Sequence, residues 1–181
     1  PGRDGWFHSV NDRAILPHYV PPATPNEVKR EPAAPDVLDR VYRRLLAASL
    51  LVDSDRAHLH GRGLTDEQIE RHGYGSLTAT KVDRERLAAI MLEGESPDVV
   101  GHVPGIYRKD GRLTVAGKSV LMIPVIQNGM IIRIRFRDPN AQDGDRYTWM
   151  STDNLPDGCS SGAPAHVAMP TGCTDTSIVI V

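Results

Sequence analysis

The sequence predicts an α+β fold, a helical N-terminal half followed by a small, mostly antiparallel sheet with a central Asn-Gly hairpin. Three observations carry this expectation. Between residues 37 and 91 apolar side chains recur at three- and four-residue spacing, the repeat of an amphipathic helix. From Val99 onward the repeat shortens toward two, and turn residues crowd between short apolar runs. Asn128-Gly129 separates two such runs, and this pair readily takes the positive φ angles of a type I′ turn. The 181 residues suffice for one domain with a sizeable core, with or without an ordered arm. With 40% hydrophobic but only 5% aromatic residues, aliphatic side chains must build most of that core.

Each element has its own signature. Residues 1–35 contain Pro17, Pro21, Pro22, Pro25, Pro32 and Pro35, which interrupt regular structure. The segment reads as an extended arm docking Trp6, Phe7 and Ile15 onto the body, or as a linker from something upstream. A chain that opens inside it reads as a fragment. Val37, Leu38, Val41, Leu45 and Ala48 then mark a helix with Pro35 suited to its first turn. A shorter helix over 55–60 stops at Gly61. Thr65-Asp66-Glu67-Gln68 fits a capping box, opening a helix that ends at Gly73. Another starts near Asp83, runs through Leu87, Ile90 and Met91, and is stopped by Gly94.

Beyond Val99, Arg108-Lys109-Asp110-Gly111 is a turn and Leu113-Thr114-Val115 a short strand. Residues 120–126 and 130–137 form the main hairpin, in which Pro124 marks an edge or a bulge because it cannot donate to a ladder. Asp138-Pro139-Asn140 closes it, Tyr147-Thr148-Trp149-Met150 adds a strand, and 156–164 is a Gly/Ser/Pro-rich loop. Residues 177–181 are a β-branched run that needs neighbours on both faces, so more protein is expected to follow.

Several classes fall away on composition. No apolar run is long enough to cross a bilayer and no signal-peptide pattern opens the chain, so no membrane partner is expected. Cys159 and Cys173 make no disulfide framework; a reducing, cytoplasmic setting is the simplest reading, with a single bridge between them as the alternative. A net charge of -2 excludes a wholly basic nucleic-acid binder, so any such binding must come from local clustering.

That clustering occurs in Ile131-Ile132-Arg133-Ile134-Arg135-Phe136-Arg137. In a strand, Ile132, Ile134 and Phe136 share one face and Arg133, Arg135 and Arg137 the other. Three like charges on one ladder repel unless an anion accepts them, or carboxylates such as Asp138, Asp143 or Asp145. Arginine's planar fork matches phosphate, which favours a polyanion. Lys118 and Arg146 extend the patch. Tyr147 and Trp149 share a strand face and could stack bases, but the stronger reading has Trp149 filling the core, leaving Tyr147 beside Arg146 as the ligand contact.

Other motifs are weaker. Gly158-Cys159-Ser160-Ser161-Gly162 matches the G-x-S-x-G nucleophile elbow in letters, but the strand-turn-helix context and the acid-then-histidine order are missing, with His166 arriving almost at once. Its glycines and hydroxyls suit a backbone phosphate contact instead. His58 and His60, near Asp53 and Asp55, would diverge by about 200° on a helix. Cys159, His166 and Cys173 lack a paired zinc spacing.

Taken in order, the pieces resemble the polymerase domain of toprim-type DNA primases, the class of bacterial DnaG-like enzymes and phage primase-helicases. The carriers are Arg62-Gly63-Leu64-Thr65-Asp66-Glu67-Gln68-Ile69 with Tyr74-Gly75; Ile123-Pro124-Val125-Ile126-Gln127-Asn128-Gly129-Met130-Ile131; the arginine strand; and Arg146-Tyr147-Thr148-Trp149-Met150-Ser151. Val-Pro-Gly-Ile-Tyr at 103–107 and the run at 158–168 are similar too. The resemblance covers residues 38–181 and is nearest the region preceding a toprim domain in phage and mobile-element replication proteins.

It implies that 36–176 is an α+β nucleic-acid-binding subdomain that holds template DNA, or a DNA/RNA primer, against the catalytic toprim domain. Arg133, Arg135 or Arg137, with Arg146 and Tyr147, would face the groove, joined by Lys118 and Arg62. Residues 177–181 would be the first toprim strand, cut before the acidic residues that hold Mg²⁺ for nucleotidyl transfer. The sequence also lacks an amino-terminal zinc ribbon. It is therefore expected to carry no catalytic residue, metal ligand or cofactor of its own, and to bind nucleic acid, the rest of its parent chain and a helicase. The rival reading is a protein-interaction module docking a helicase or another replication subunit; a serine hydrolase is the third.

Overall fold

Helices occupy the first half of the chain and strands the second, in a computed structural model that describes residues 30–77, 80–141 and 146–164. Helix α1 (Pro35–Ala47) begins on its proline and buries Leu38, Val41, Tyr42 and Leu45, the i, i+3, i+4, i+7 stripe of a one-sided helix. Tyr42, absent from the apolar set read in the sequence, is fully buried and donates its hydroxyl to the Pro104 carbonyl at 2.9 Å. Helix α2 (Asp53–Gly61) starts two residues before the expected position. Helix α3 (Asp66–His72) opens on the Thr65 capping box and ends on Gly73, whose φ of 69° is left-handed. Helix α4 (Lys81–Met91) also starts early, because Thr80 caps it by accepting from the Asp83 amide. A 3₁₀ turn at Pro97–His102, unread in the sequence, leads into the strands.

Strands β1 (Gly75–Leu77), β4 (Val120–Gln127), β5 (Met130–Arg137) and β6 (Tyr147–Trp149) form one antiparallel sheet in the order β1-β4-β5-β6. A second sheet pairs β2 (Ile106–Lys109) with β3 (Arg112–Val115). The sequence reading had neither β1 nor β2. Asn128 and Gly129, with φ of 49° and 77°, connect β4 to β5. Pro124 pairs with Ile134 and lies beyond the part of β4 that β1 covers, Val120 to Met122. A bulge follows: Val125 opposes Arg133 while Ile126 opposes Ile131, so Ile132 is the extra residue, and Ile131 and Ile132 are both buried.

Register sets the two faces of the larger sheet. Met122, Ile134 and Phe136 join the main core with α1, α4 and the β2–β3 sheet. On the opposite face, Leu121 packs with Leu59 of α2 and Ile69 of α3, with Ile123 and Tyr74 at the margin. Asp55 locks α2 to β1, accepting the Ser76 hydroxyl at 2.6 Å. The helices α2 and α3 therefore roof one end of this face and leave the rest to a site. No helix among the described residues is long and apolar enough to cross a membrane. Most of the expected arm, with Trp6, Phe7 and Ile15, lies outside the described residues, as do Asp143, Asp145, His166, Cys173 and the strand at 177–181.

Candidate nucleic-acid interface

The three arginines of β5 meet three different surroundings. Arg133 is half-buried: its Nε donates to the Ser161 carbonyl at 2.5 Å and its Nη1 to the Ile132 carbonyl at 2.6 Å. Arg135 is exposed, its guanidinium carbon 5.2 Å from the Tyr147 ring centre and 5.4 Å from that of Trp149, both within cation–π range. Arg137 lies beside α2 with its Nε buried and without a hydrogen-bond partner. Among the described residues no carboxylate pairs with any of them; Asp138 instead faces Lys118 at 3.8 Å.

Register explains the aromatic pair. Trp149 stands opposite Arg135 and Tyr147 opposite Arg137, so β6 lays both rings along the arginine side of β5. The result is a cleft of about 460 Å³ floored by Ile123, Pro124 and Val125 and walled by Arg135, Tyr147 and Trp149, with His72 and Tyr74 on the α3 side. Trp149 is thus half-exposed in a cleft and is not the core residue expected from the sequence. The sheet order accounts for this, since the face reached by Trp149 carries no helix at that end.

A second cleft, of about 220 Å³, adjoins the first and shares Tyr74, Ile123 and Tyr147 with it. It gathers His58, Arg62 and Arg137 over apolar Leu59, Leu64 and Leu121. Burial pushes the His58 pKa down, and the charges of Arg137, Arg62 and Arg146 push it further against a smaller opposing pull from Asp55. Burial raises the Tyr74 phenol, which Arg62 partly offsets.

Of the residues read from sequence, Arg135 and Tyr147 therefore meet in the first cleft, and Arg137 and Arg62 in the second, with Arg146 near enough to act on His58. Arg133 is spent on the main chain. Lys118 stands apart, lining a separate cleft with Asp138, Asn140 and Thr148. Sequence reading missed Trp149, His58 and His72 as site residues. The signal for Trp149 was its two-residue spacing from Tyr147; nothing local marks the histidines.

The 158–162 segment does not present the run of open amides of the phosphate-cradling loop expected as an alternative, because four of its five amides are already used. Gly158 donates to the Leu155 carbonyl, Cys159 to Thr152 Oγ1, Ser161 to Ser151 Oγ and Gly162 to Ser160 Oγ. A Cβ at Gly158 would fall 1.6 Å from the Thr152 carbonyl oxygen, so glycine there serves packing. Residues 156–164 also hold neither the strand nor the helix of a nucleophile elbow. Cys159 is buried, and burial raises its thiol pKa. His58 and His60 diverge: the His60 ring bonds the Leu64 carbonyl at 2.9 Å and approaches Asp66 at 3.3 Å, away from the second cleft.

No family model matches the sequence, and no curated protein does. Among solved structures, the chain is similar to the RNA polymerase domain of Mycobacterium tuberculosis primase DnaG in complex with a double-stranded DNA oligomer with a 6-nucleotide overhang. There the identity is 14% and the TM-score 0.48, over 66% of this chain and 39% of that one. It is similar also to the DnaG primase catalytic domain bound to ssDNA, at 19% identity and TM-score 0.45, over 64% and 37%. The Mycobacterium tuberculosis domain without DNA gives 17% identity and TM-score 0.45, over 59% and 39%. The chain spans about two fifths of the length of these structures.

Proposed function

We propose that this domain binds single-stranded nucleic acid and holds a template strand for a primase-type polymerase. The observation that carries the reading is the grouping of Arg135 with the rings of Tyr147 and Trp149 over an apolar floor, beside the cationic cleft of Arg137 and Arg62. A strand of nucleic acid alternates a flat apolar base with an anionic phosphate, and these two clefts alternate in the same way. The cation–π contacts hold the rings in place before a base arrives, which lowers the ordering cost of binding. Local clustering of this kind needs no overall positive charge, in keeping with the net charge of -2.

The primase setting rests on the ordered motifs of the sequence. In it, polymerisation belongs to a toprim domain of the parent protein, with Mg²⁺ held there. Among the described residues no group of three or more His, Cys, Asp or Glu side chains is placed to hold a metal. In this reading the residues of this chain bind and orient a strand.

Fluorescence anisotropy with a labelled single-stranded oligonucleotide tests the reading. Affinity should fall steeply with salt, the log–log slope losing about 0.7 for each phosphate contact removed. Trp149→Ala should weaken binding by about 5- to 150-fold, the ~1–3 kcal/mol of one base–aromatic stack. Arg135→Ala should weaken it and flatten the salt slope. Binding indifferent to both salt and Trp149→Ala would sink the proposal and favour a protein-docking surface.

A further inference from the structure

The smaller cleft contains two nitrogens for which the described residues supply no hydrogen-bond partner. His58 Nε2 and Arg137 Nε are each buried and unpartnered, one from α2 and one from β5, and both residues line the same small space. Proteins rarely leave buried polar nitrogens unsatisfied, because each loses its water and gains nothing in return. Two in one cleft, with Arg62 at its wall and Arg146 near enough to act on His58, point to an acceptor that comes from outside. Among the described residues Asp55 is the only acid felt by His58, and its Oδ2 already accepts the Ser76 hydroxyl at 2.6 Å. Tyr74 and Tyr147, which also line the cleft, are phenols and not carboxylates.

We infer that this cleft takes one phosphodiester group of the bound strand, with His58 Nε2 and Arg137 Nε as inner donors and Arg62 and Arg146 as flanking charges. The inference rests on the nucleic-acid reading proposed above and assigns the group that His58 and Arg137 recognise. The donors require an oxyanion with several acceptor oxygens, and the apolar floor of Leu59 and Leu121 strengthens each charge contact by keeping solvent away. Tyr147 lines both clefts, so a phosphate here lies next to a base at Trp149. Arg135 and Arg137 mark the two sites, and alternate residues of a strand stand only about 6.6 Å apart.

A consequence separates this site from generic phosphate attraction. In the protein alone, burial and the three arginines hold His58 below its ordinary pKa, so near neutrality it is uncharged. A phosphate against Nε2 reverses the balance and favours the imidazolium. Binding then takes up a proton, and affinity rises as pH falls from the raised bound value toward the depressed free value.

Two measurements test it. By NMR, the titration midpoint of the His58 ring should move upward when the protein is saturated with an abasic deoxyribose-phosphate oligomer. By anisotropy, affinity for a thymidine oligonucleotide should increase about tenfold between about pH 8 and about pH 5.5, and His58→Gln should lose that dependence. An unmoved midpoint, or equal pH dependence in both proteins, would overturn the inference while leaving strand binding intact. If the thymidine oligonucleotide fails to bind at any pH but inorganic phosphate raises the His58 midpoint, the anion site stands and the nucleic-acid reading falls.

Discussion

Arg133 and Arg135 stand two positions apart on one strand and do different work. Arg133 donates to two main-chain carbonyls, one of them in the loop that follows β6, and so fastens that loop to the sheet. The Arg135 side chain makes no hydrogen bond among the described residues and rests against two rings. Charge reversal at Arg133 would therefore damage the fold before it reported on binding. Arg133→Ala is expected to lower stability by about 2 kcal/mol, the worth of its charged hydrogen bonds, in a urea unfolding series. The salt slope of strand binding should stay as it was; a flattened slope with an unchanged unfolding midpoint would place Arg133 in the interface instead. The alternation of Ile132, Arg133, Ile134, Arg135 and Phe136 was legible in the sequence, because neighbouring residues of a strand must point oppositely. Which guanidinium stays free was not, because the Ser161 carbonyl comes from a segment the alternation says nothing about.

Helix α3 shows what local chemistry makes readable. Thr65 Oγ1 accepts from the Gln68 amide at 3.3 Å, and Gln68 Oε1 accepts from the Thr65 amide at 2.8 Å. All partners lie within four residues, so the capping box can be read before any fold is known. Thr65→Ala should cost about 1 kcal/mol, measurable as a lower thermal midpoint; an unchanged midpoint would mean that tertiary packing alone holds this short helix. Strand β1 is the opposite case. Its three residues carry no period of their own and become a strand only by pairing with Val120, Leu121 and Met122. Its Ser76 hydroxyl also receives the Val52 amide at 3.1 Å, which joins β1 to the start of α2. The early start of α2 follows from that contact rather than from a side-chain cap, which it lacks.

The molecule is held together across α1 and the turn after α4 by Glu95, which accepts from Arg40 at 3.1 Å and from Arg44 at 2.9 Å. The Arg40 hydrogen bond, with smaller help from Arg44, outweighs burial and lowers the Glu95 pKa below its ordinary 4.5. A carboxyl whose pKa is depressed by folding contributes stability above its unfolded value and loses it as pH falls through the folded value. Glu95→Gln should therefore be less stable than the parent near neutrality, by on the order of 1 kcal/mol given the exposure of Arg40. The gap should start to narrow as pH falls below the ordinary 4.5 of the carboxyl and close once pH passes its depressed folded value. A gap that persists in acid would mean that the glutamine disturbs packing, with the ion pair contributing little.

Composition and period alone established an α+β chain with a basic, aromatic-flanked strand and no membrane-spanning helix, since these depend on contacts within a few residues. Packing alone chose Arg135 as the open cation, brought Trp149 out to the surface, and set His58 facing Arg137. Those choices join α2, β5 and β6, and side chains reach only a few ångströms. No sequence pattern carries such a meeting until the sheet order puts the three segments side by side.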